Sequence, residues 1–472
     1  MTTEIRNGTV VFWSNGSHQI LDRGSVVFDG HTISFVGETY EGEADQVIDA
    51  TGRLVIPGLI NNHLHVTDTP FTKGYLEDIG DKATEGAATN LVSLYKVLPH
   101  VRHATDPEAQ LAAATCAFAE LARTGSTTVV ELGYDYEIGG DGDIRITEQI
   151  ADVAGRSGLR CYSGPRYRAR HYGQNSDGSI FYKDYPDRGR SRFDACLDFC
   201  EQWNGRYDDR LRTMLAPGQV DTCDEDLLIK TREVADELRL PIQIHAGQSP
   251  NEFRRVFEFE SRTTVEYFAD CGLLGPDFII GHGQIMSHDG DMNSMSPHEI
   301  VALRDSQTTV CHMPWVKARR GGVINSIHKY KNLGIRQSLG TDTYPFDLFN
   351  DMRMAAVVCK IVEHDAEVAA AKDVFAMATT GGADALGRPD LGRLAPGCRA
   401  DIVLVRIDTP KAAPVYDPFK FLVLAATGDD VDQVIVDGKS IVENGEVLTI
   451  DVADAVLELN EASKRVWSRL DL

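Results

Sequence analysis

Short apolar runs broken by glycine and polar turns fill the start of the chain. Thr9-Val10-Val11-Phe12, Gly24-Ser25-Val26-Val27-Phe28 and Thr32-Ile33-Ser34-Phe35-Val36-Gly37 read as strands. The same texture returns at Asp401-Ile402-Val403-Leu404-Val405 and at Val431-Asp432-Gln433-Val434-Ile435-Val436-Asp437-Gly438. Strands at both ends predict one small β-sandwich built from the two termini, with the remainder inserted between them. The last segment, 452–467, is helix-forming, with Val456, Leu457, Leu459 and Val466 as its apolar face. No internal repeat or low-complexity tract interrupts the pattern.

Between the terminal strands the apolar runs share a feature: many end in a residue able to bind metal. Leu54-Val55-Ile56-Pro57-Gly58-Leu59-Ile60-Asn61-Asn62 leads into His63-Leu64-His65. Residues two apart in a strand point the same way, so both imidazoles project together from its C-terminal end. Two neutral imidazoles make half of a zinc-type site. A chain with 14 histidines produces such pairs by chance, so the pair needs company. His245 ends Pro241-Ile242-Gln243-Ile244, His282 ends Phe278-Ile279-Ile280-Gly281, His312 ends Thr308-Thr309-Val310-Cys311, and Asp342 follows Ile335 to Thr341. These four are spaced 30 to 37 residues apart, about one strand-loop-helix-loop unit. In a parallel barrel all strand C-termini open on one face, so residues far apart in sequence converge there. The expected fold is therefore α/β, a (β/α)8 barrel carrying the terminal β-sandwich.

Length agrees. At 472 residues the chain exceeds a single barrel of about 250, leaving room for a second domain and loop insertions. The expected division is 1–57 with 391–450 for the sandwich, 58–390 for the barrel and 451–472 for the C-terminal helix. No apolar run nears the roughly 20 residues of a membrane span, and Met1-Thr2-Thr3-Glu4 opens no signal peptide. Nine cysteines, odd in number and without a CxxC pair, read as reduced thiols of a cytoplasmic protein. Cys196 and Cys200 lie one helical turn apart and are assigned to packing. The net charge of -24 disfavours nucleic acid and acidic lipid as partners, and weakly disfavours a polyanionic substrate. A homo-oligomer acting on a small molecule is the expected working form.

Pro57-Gly58-Leu59-Ile60-Asn61-x-His63-x-His65, the strand histidines and Gly340-Thr341-Asp342 together resemble the amidohydrolase superfamily, in its triazine chlorohydrolase and cytosine deaminase branch. Thr124-Gly125-Ser126-Thr127-Thr128-Val129-Val130 resembles that family's second barrel strand. Gly382-Ala383-Asp384-Ala385-Leu386-Gly387, with Leu394-Ala395-Pro396-Gly397-x-Arg399-Ala400-Asp401, matches its return from barrel to small domain. Gln248-Ser249-Pro250-x-Glu252-Phe253 and Gly340-Thr341-Asp342-Thr343-Tyr344-Pro345 are similar to a subgroup that includes phenylurea and thiocarbamate (molinate) hydrolases.

Three neutral imidazoles, His63, His65 and His245, with the carboxylate of Asp342, leave a divalent ion net positive with room for water. Such an ion brings the pKa of water towards neutrality. Asp342 would both touch the metal and take the water proton. The resemblance implies that His282 hydrogen-bonds the resulting hydroxide or the substrate's oxyanion. Binuclear superfamily members usually carry a bridging carboxylated lysine on the fourth strand. Thr213-Met214-Leu215-Ala216-Pro217-Gly218-Gln219 has none, so one ion is expected: zinc, with cobalt, manganese or iron as alternatives. His312 is assigned to the core or to contacts behind the ligands, and Asn61 to turn-stabilising hydrogen bonds.

The resembling deaminases usually carry His-x-x-Glu after the fifth strand, and that glutamate handles protons on the ring and the departing ammonia. Here the sequence is His245-Ala246-Gly247-Gln248, and an amide supplies no proton at neutral pH. The expected reaction is therefore hydrolysis of a urea, carbamate or thiocarbamate, with Gln248 hydrogen-bonding the carbonyl of a small, mostly neutral, partly apolar substrate. The alternatives are an N-heterocycle deaminase or dechlorinase and, in another class, a metal-binding pseudoenzyme. The stretch from Pro165 to Tyr185 is expected to form a lid, and Trp315 and Phe346 to line an apolar pocket.

Overall fold

The computed structural model describes residues 1–73, 95, 97–133, 145–177, 179–284, 286, 295–323 and 326–470. Two four-stranded parallel sheets make the barrel. One holds, in order, Leu59–Leu64, Ser126–Leu132, Arg160–Gly164 and Leu211–Thr213. The other holds Ile242–Ala246, Phe278–His282, Thr309–His312 and Arg336–Leu339. Parallel bridges from Leu64 to Asp342 and from Leu215 to Ile242 join the two sheets into a closed ring. At the first seam His65 N donates to Asp342 O at 3.1 Å and Asp342 N to His63 O at 2.9 Å. The ring therefore closes on the candidate ligands themselves.

Six of these strands are buried along their whole length, which is why segments such as 242–246 and 278–282 read as apolar runs, whereas Leu211–Thr213 and Arg336–Leu339 are partly exposed. Outer helices start where the sequence supplies caps. The helix Pro250–Glu260 begins with Ser249, whose side chain accepts from Glu252 N, followed by Pro250, which needs no amide partner. This start fixes the short link from His245 to the helix, and with it residue 248. The Pro165–Tyr185 insertion contains an antiparallel hairpin, Arg170–Gln174 with Ile180–Asp184. Tyr182 of the hairpin packs edge-on against Phe259, ring centroids 5.5 Å apart.

The termini form one nine-stranded sheet. Arg53–Pro57 lies at its centre, antiparallel to Ile402–Arg406, and runs directly into the first barrel strand. Arg160, fully buried, fastens barrel to sheet: its NH2 group donates to Asp437 at 2.9 Å and its Nε to Asp401 at 3.3 Å. Asp401 closes the return motif noted in the sequence, and its main-chain oxygen accepts from Gly58 N at 2.9 Å. Cys196 and Cys200 are buried in the core, as their packing assignment requires.

The C-terminal helix spans Val452–Ser468, and its inner face matches the expected one at Leu459 and Val466 but not at Val456 and Leu457. Ala455, Ala462 and Val466 are buried, with Leu459 partly so, whereas Val456 is 42% and Leu457 62% exposed. The partner surface is alanine-rich, including Ala109, Ala112 and Ala113 of the helix Pro107–Arg123. Small residues on both sides allow close approach and select the alanine stripe over the larger side chains.

Candidate active site

His63 and His65, on the first strand and just beyond it, meet His245 of the fifth, His282 of the sixth and Asp342 after the eighth. Candidate ligand atoms of His63, His245, His282 and Asp342 lie within 4.8 Å of one another. His65 Nε2 is 3.0 Å from His245 Nε2 and 3.4 Å from Asp342 Oδ1, and His63 Nε2 is 3.6 Å from Asp342 Oδ1. All five residues are buried. Two glycines make room: a Cβ on Gly281 would stand 2.8 Å from the His63 ring, and one on Gly340 2.7 Å from the His63 main chain. His282 and Asp342 hold φ of 79° and 60°, left-handed values that cost a non-glycine residue about 1 kcal/mol or more.

The outer nitrogens of three imidazoles all face oxygen acceptors. His65 Nδ1 is 3.0 Å from Leu132 O, His245 Nδ1 2.7 Å from Gly218 O, and His63 Nδ1 2.5 Å from Gln243 Oε1. Each Nδ1 is thereby the protonated nitrogen, and each Nε2 lone pair faces inward. His63 Nε2 has no hydrogen-bond partner. Two inward lone pairs 3.0 Å apart, beside a carboxylate, repel one another unless a cation lies between them. The donor set thus fits a divalent ion.

Electrostatics favour the required protonation states. Burial and the neighbouring imidazoles hold His245 well below the ordinary histidine value, and burial lowers His63. Burial also holds His282 well below it, despite Asp342. For Asp342, burial alone would raise the pKa, but the His63, His65 and His282 imidazoles around it hold it well below the usual carboxylate range.

Two adjoining pockets open beside this cluster: His65, Asp68, Arg102, Arg166, Tyr172, Gln219 and His245 line one, Lys317 lines the other, and Gln248, His282, Arg320 and Asp342 belong to both. Arg102 is neutralised by Asp68 at 2.8 Å. Trp315 and Phe346 line neither pocket, which corrects the place expected for them. Phe346 is fully buried in the core, where its main chain binds Glu120 and Thr124. Gln248 does reach the pockets. His312 does not: it turns to Gln337 Oε1 at 3.0 Å and to the Tyr330 ring, and burial lowers its pKa to about 4. Asn61 pins the first strand to the eighth through Thr341, by two contacts of 3.0 Å.

Gln243 escaped the sequence reading. It had a signal, for it lies two residues before His245 and so shares that ligand's strand face, in a strand otherwise apolar up to the histidine.

Residues 54–441 match the amidohydrolase family. The chain is 31% identical over 452 residues to the 5'-deoxyadenosine deaminase of Methanothermobacter thermautotrophicus, covering 93% of this chain and 94% of that one. It is 29% identical over 429 residues to the 5-methylthioadenosine/S-adenosylhomocysteine deaminase of Halobacterium salinarum, covering 90% and 89%. Among solved structures, a zinc-bound adenosine deaminase from Xanthomonas campestris superposes with a TM-score of 0.82 at 22% identity, covering 99% of this chain and 98% of that one. The zinc complex of atrazine chlorohydrolase from Arthrobacter aurescens gives 0.83 at 22%, covering 98% and 100%. With the family match spanning most of the chain and both solved structures sharing its fold, this protein belongs to the amidohydrolase family and is a metal-dependent hydrolase.

Proposed function

We propose that this protein replaces an amino or chloro substituent on a nitrogen heterocycle with water's oxygen, deamination being the principal reaction. One divalent ion, zinc in the first instance, would be held by His63, His65, His245 and Asp342. The observation that carries the site is the outward anchoring of three imidazoles, which leaves their Nε2 atoms converging beside Asp342. The named relatives support the substrate class: they are deaminases and a chlorohydrolase, the side of the sequence reading that Gln248 had argued against. A bound divalent ion supplies Lewis acidity and lowers the pKa of water. Asp342, held ionised, accepts the proton that water gives up. His282, held neutral, offers a hydrogen bond to the oxygen that adds to the ring carbon.

Gln248 favours a second reading, hydrolysis of an open-chain urea, carbamate or thiocarbamate, whose carbonyl needs no ring protonation. A substrate panel separates the two. The metal-loaded protein is incubated with 5'-deoxyadenosine, 5-methylthioadenosine, amino- and chlorotriazines, ureas and carbamates. Ammonia or chloride release from the ring compounds is expected. Turnover confined to ureas and carbamates would establish the second reading.

A further inference from the structure

We propose that Lys317 is the proton donor of this site, supplying from the seventh-strand side what residue 248 does not. The inference rests on the ring-substituent reading above. The short helix Pro314–Arg319 follows the strand Thr309–His312 and places Lys317 in the pocket wall with Gln248, Ser249, His282, Gln284, Arg320 and Asp342. Its Nζ donates to the main-chain oxygen of Gln248 at 3.4 Å, so the ammonium stands beside the position whose side chain lacks an acid. An ammonium carries three protons, and this contact uses one.

Among the described residues, the other cations that line the two pockets are Arg102, Arg166 and Arg320, and a guanidinium does not release its proton. Among the described residues, the charged or titratable groups facing Lys317 are Arg320 just after its own helix, Glu252 from the helix Pro250–Glu260, and His282 and Asp342 across the pocket. Burial and then Arg320 draw Lys317 below the ordinary lysine value, against an opposing pull from Glu252. Burial in turn pushes Glu252 well above the carboxylate range, which weakens that pull. A lysine so placed releases a proton more readily than one in water.

The chemistry balances. The ammonium of Lys317 protonates the ring nitrogen next to the amino-bearing carbon. Water adds to that carbon as hydroxyl, and its other proton goes to Asp342. Asp342 passes this proton to the amino group, the C–N bond breaks with its electron pair leaving on ammonia, and the hydroxyl becomes a carbonyl. The hydroxyl proton returns, through solvent, to Lys317. The products are ammonia and a ring lactam that keeps the proton Lys317 gave.

The test measures kcat and KM against pH, with 5'-deoxyadenosine as probe, for wild type, Lys317→Met and Lys317→Arg, with metal content and circular dichroism checked for each. Arginine keeps the charge but gives up no proton, so both variants are expected to lose about 10²-fold or more in kcat, with KM changed only a few-fold. The wild-type loss of activity at high pH should disappear in both. Added ethylamine should restore turnover to Lys317→Ala but not to Lys317→Arg, a rescue that a merely structural lysine would not show. If Lys317→Arg keeps more than a tenth of wild-type kcat, or ethylamine fails to rescue Lys317→Ala, Lys317 is not the donor. Those results leave the ring-substituent reading standing as long as wild type releases ammonia. If wild type releases no ammonia from any ring amine, the reading and the inference fall together.

Discussion

The side-chain oxygen of Gln243 lies 2.5 Å from His63 Nδ1, while its amide nitrogen donates to the main-chain oxygen of Asn62 at 2.9 Å. One buried amide thus grips both the imidazole and the backbone beside it, and fixes which His63 nitrogen carries the proton. Outer partners of this kind typically govern metal affinity by 10- to 100-fold. Gln243→Leu should weaken metal binding by about that factor while the protein stays folded, as read by titration with a competing chelator. Unchanged affinity would show that His63 needs no such partner.

Among the described residues, Asp342 is the one carboxylate grouped with the histidines. Asp342→Asn keeps its shape and one ligating oxygen but removes the base. Activity should fall by roughly 10²-fold or more with the fold intact. A metal-loaded, nearly fully active variant would assign the proton to another group.

Much of this site is visible in the sequence because most of its residues end an apolar run, and barrel strands are short, buried and parallel. His63, His65, His245 and His282 obey that rule, whereas Asp342 follows the more polar strand Arg336–Leu339 and is marked by Gly340-Thr341 before it. What stayed hidden depends on approach between elements distant in sequence. Gln243 looks like a polar interruption until the ring closes and the fifth strand faces the first across the barrel interior, and Lys317 is one of several basic residues in 317–320 until its helix is placed. Phe346 illustrates the opposite error: its position after a strand suggested a cavity wall, but the main chain turns it into the core. The C-terminal helix was legible as a helix, yet its buried face was set by the alanines opposite it.

Arg160 is fully buried, and it joins the third barrel strand to Asp401 and Asp437 at the terminal sheet. Removing one member of a buried ion pair typically costs about 3–5 kcal/mol, because the partner charge is left uncompensated. Arg160→Ala should therefore unfold at markedly lower denaturant than wild type. A midpoint within error of wild type would mean that the two carboxylates find other partners.

Glu131, on the second barrel strand, is buried beside Arg166 and Asp68, and burial pushes its carboxyl from 4.5 up to about 8. The folded state thus favours the protonated form. Its contribution to stability is complete below about pH 4.5 and is lost as the pH rises to about 8. Thermal unfolding of wild type and Glu131→Gln between pH 5 and pH 8.5 should show wild type losing more stability on alkalinisation. Parallel curves would contradict the assignment.

The proposed chemistry rests on His63, His65, His245 and Asp342 forming a mononuclear metal centre. Elemental analysis of the purified protein beside His65→Ala and His245→Ala tests this most directly. The account predicts close to one divalent ion per wild-type chain and little or none in either variant. Two tightly bound ions in wild type, or full metal content in both variants, would contradict it.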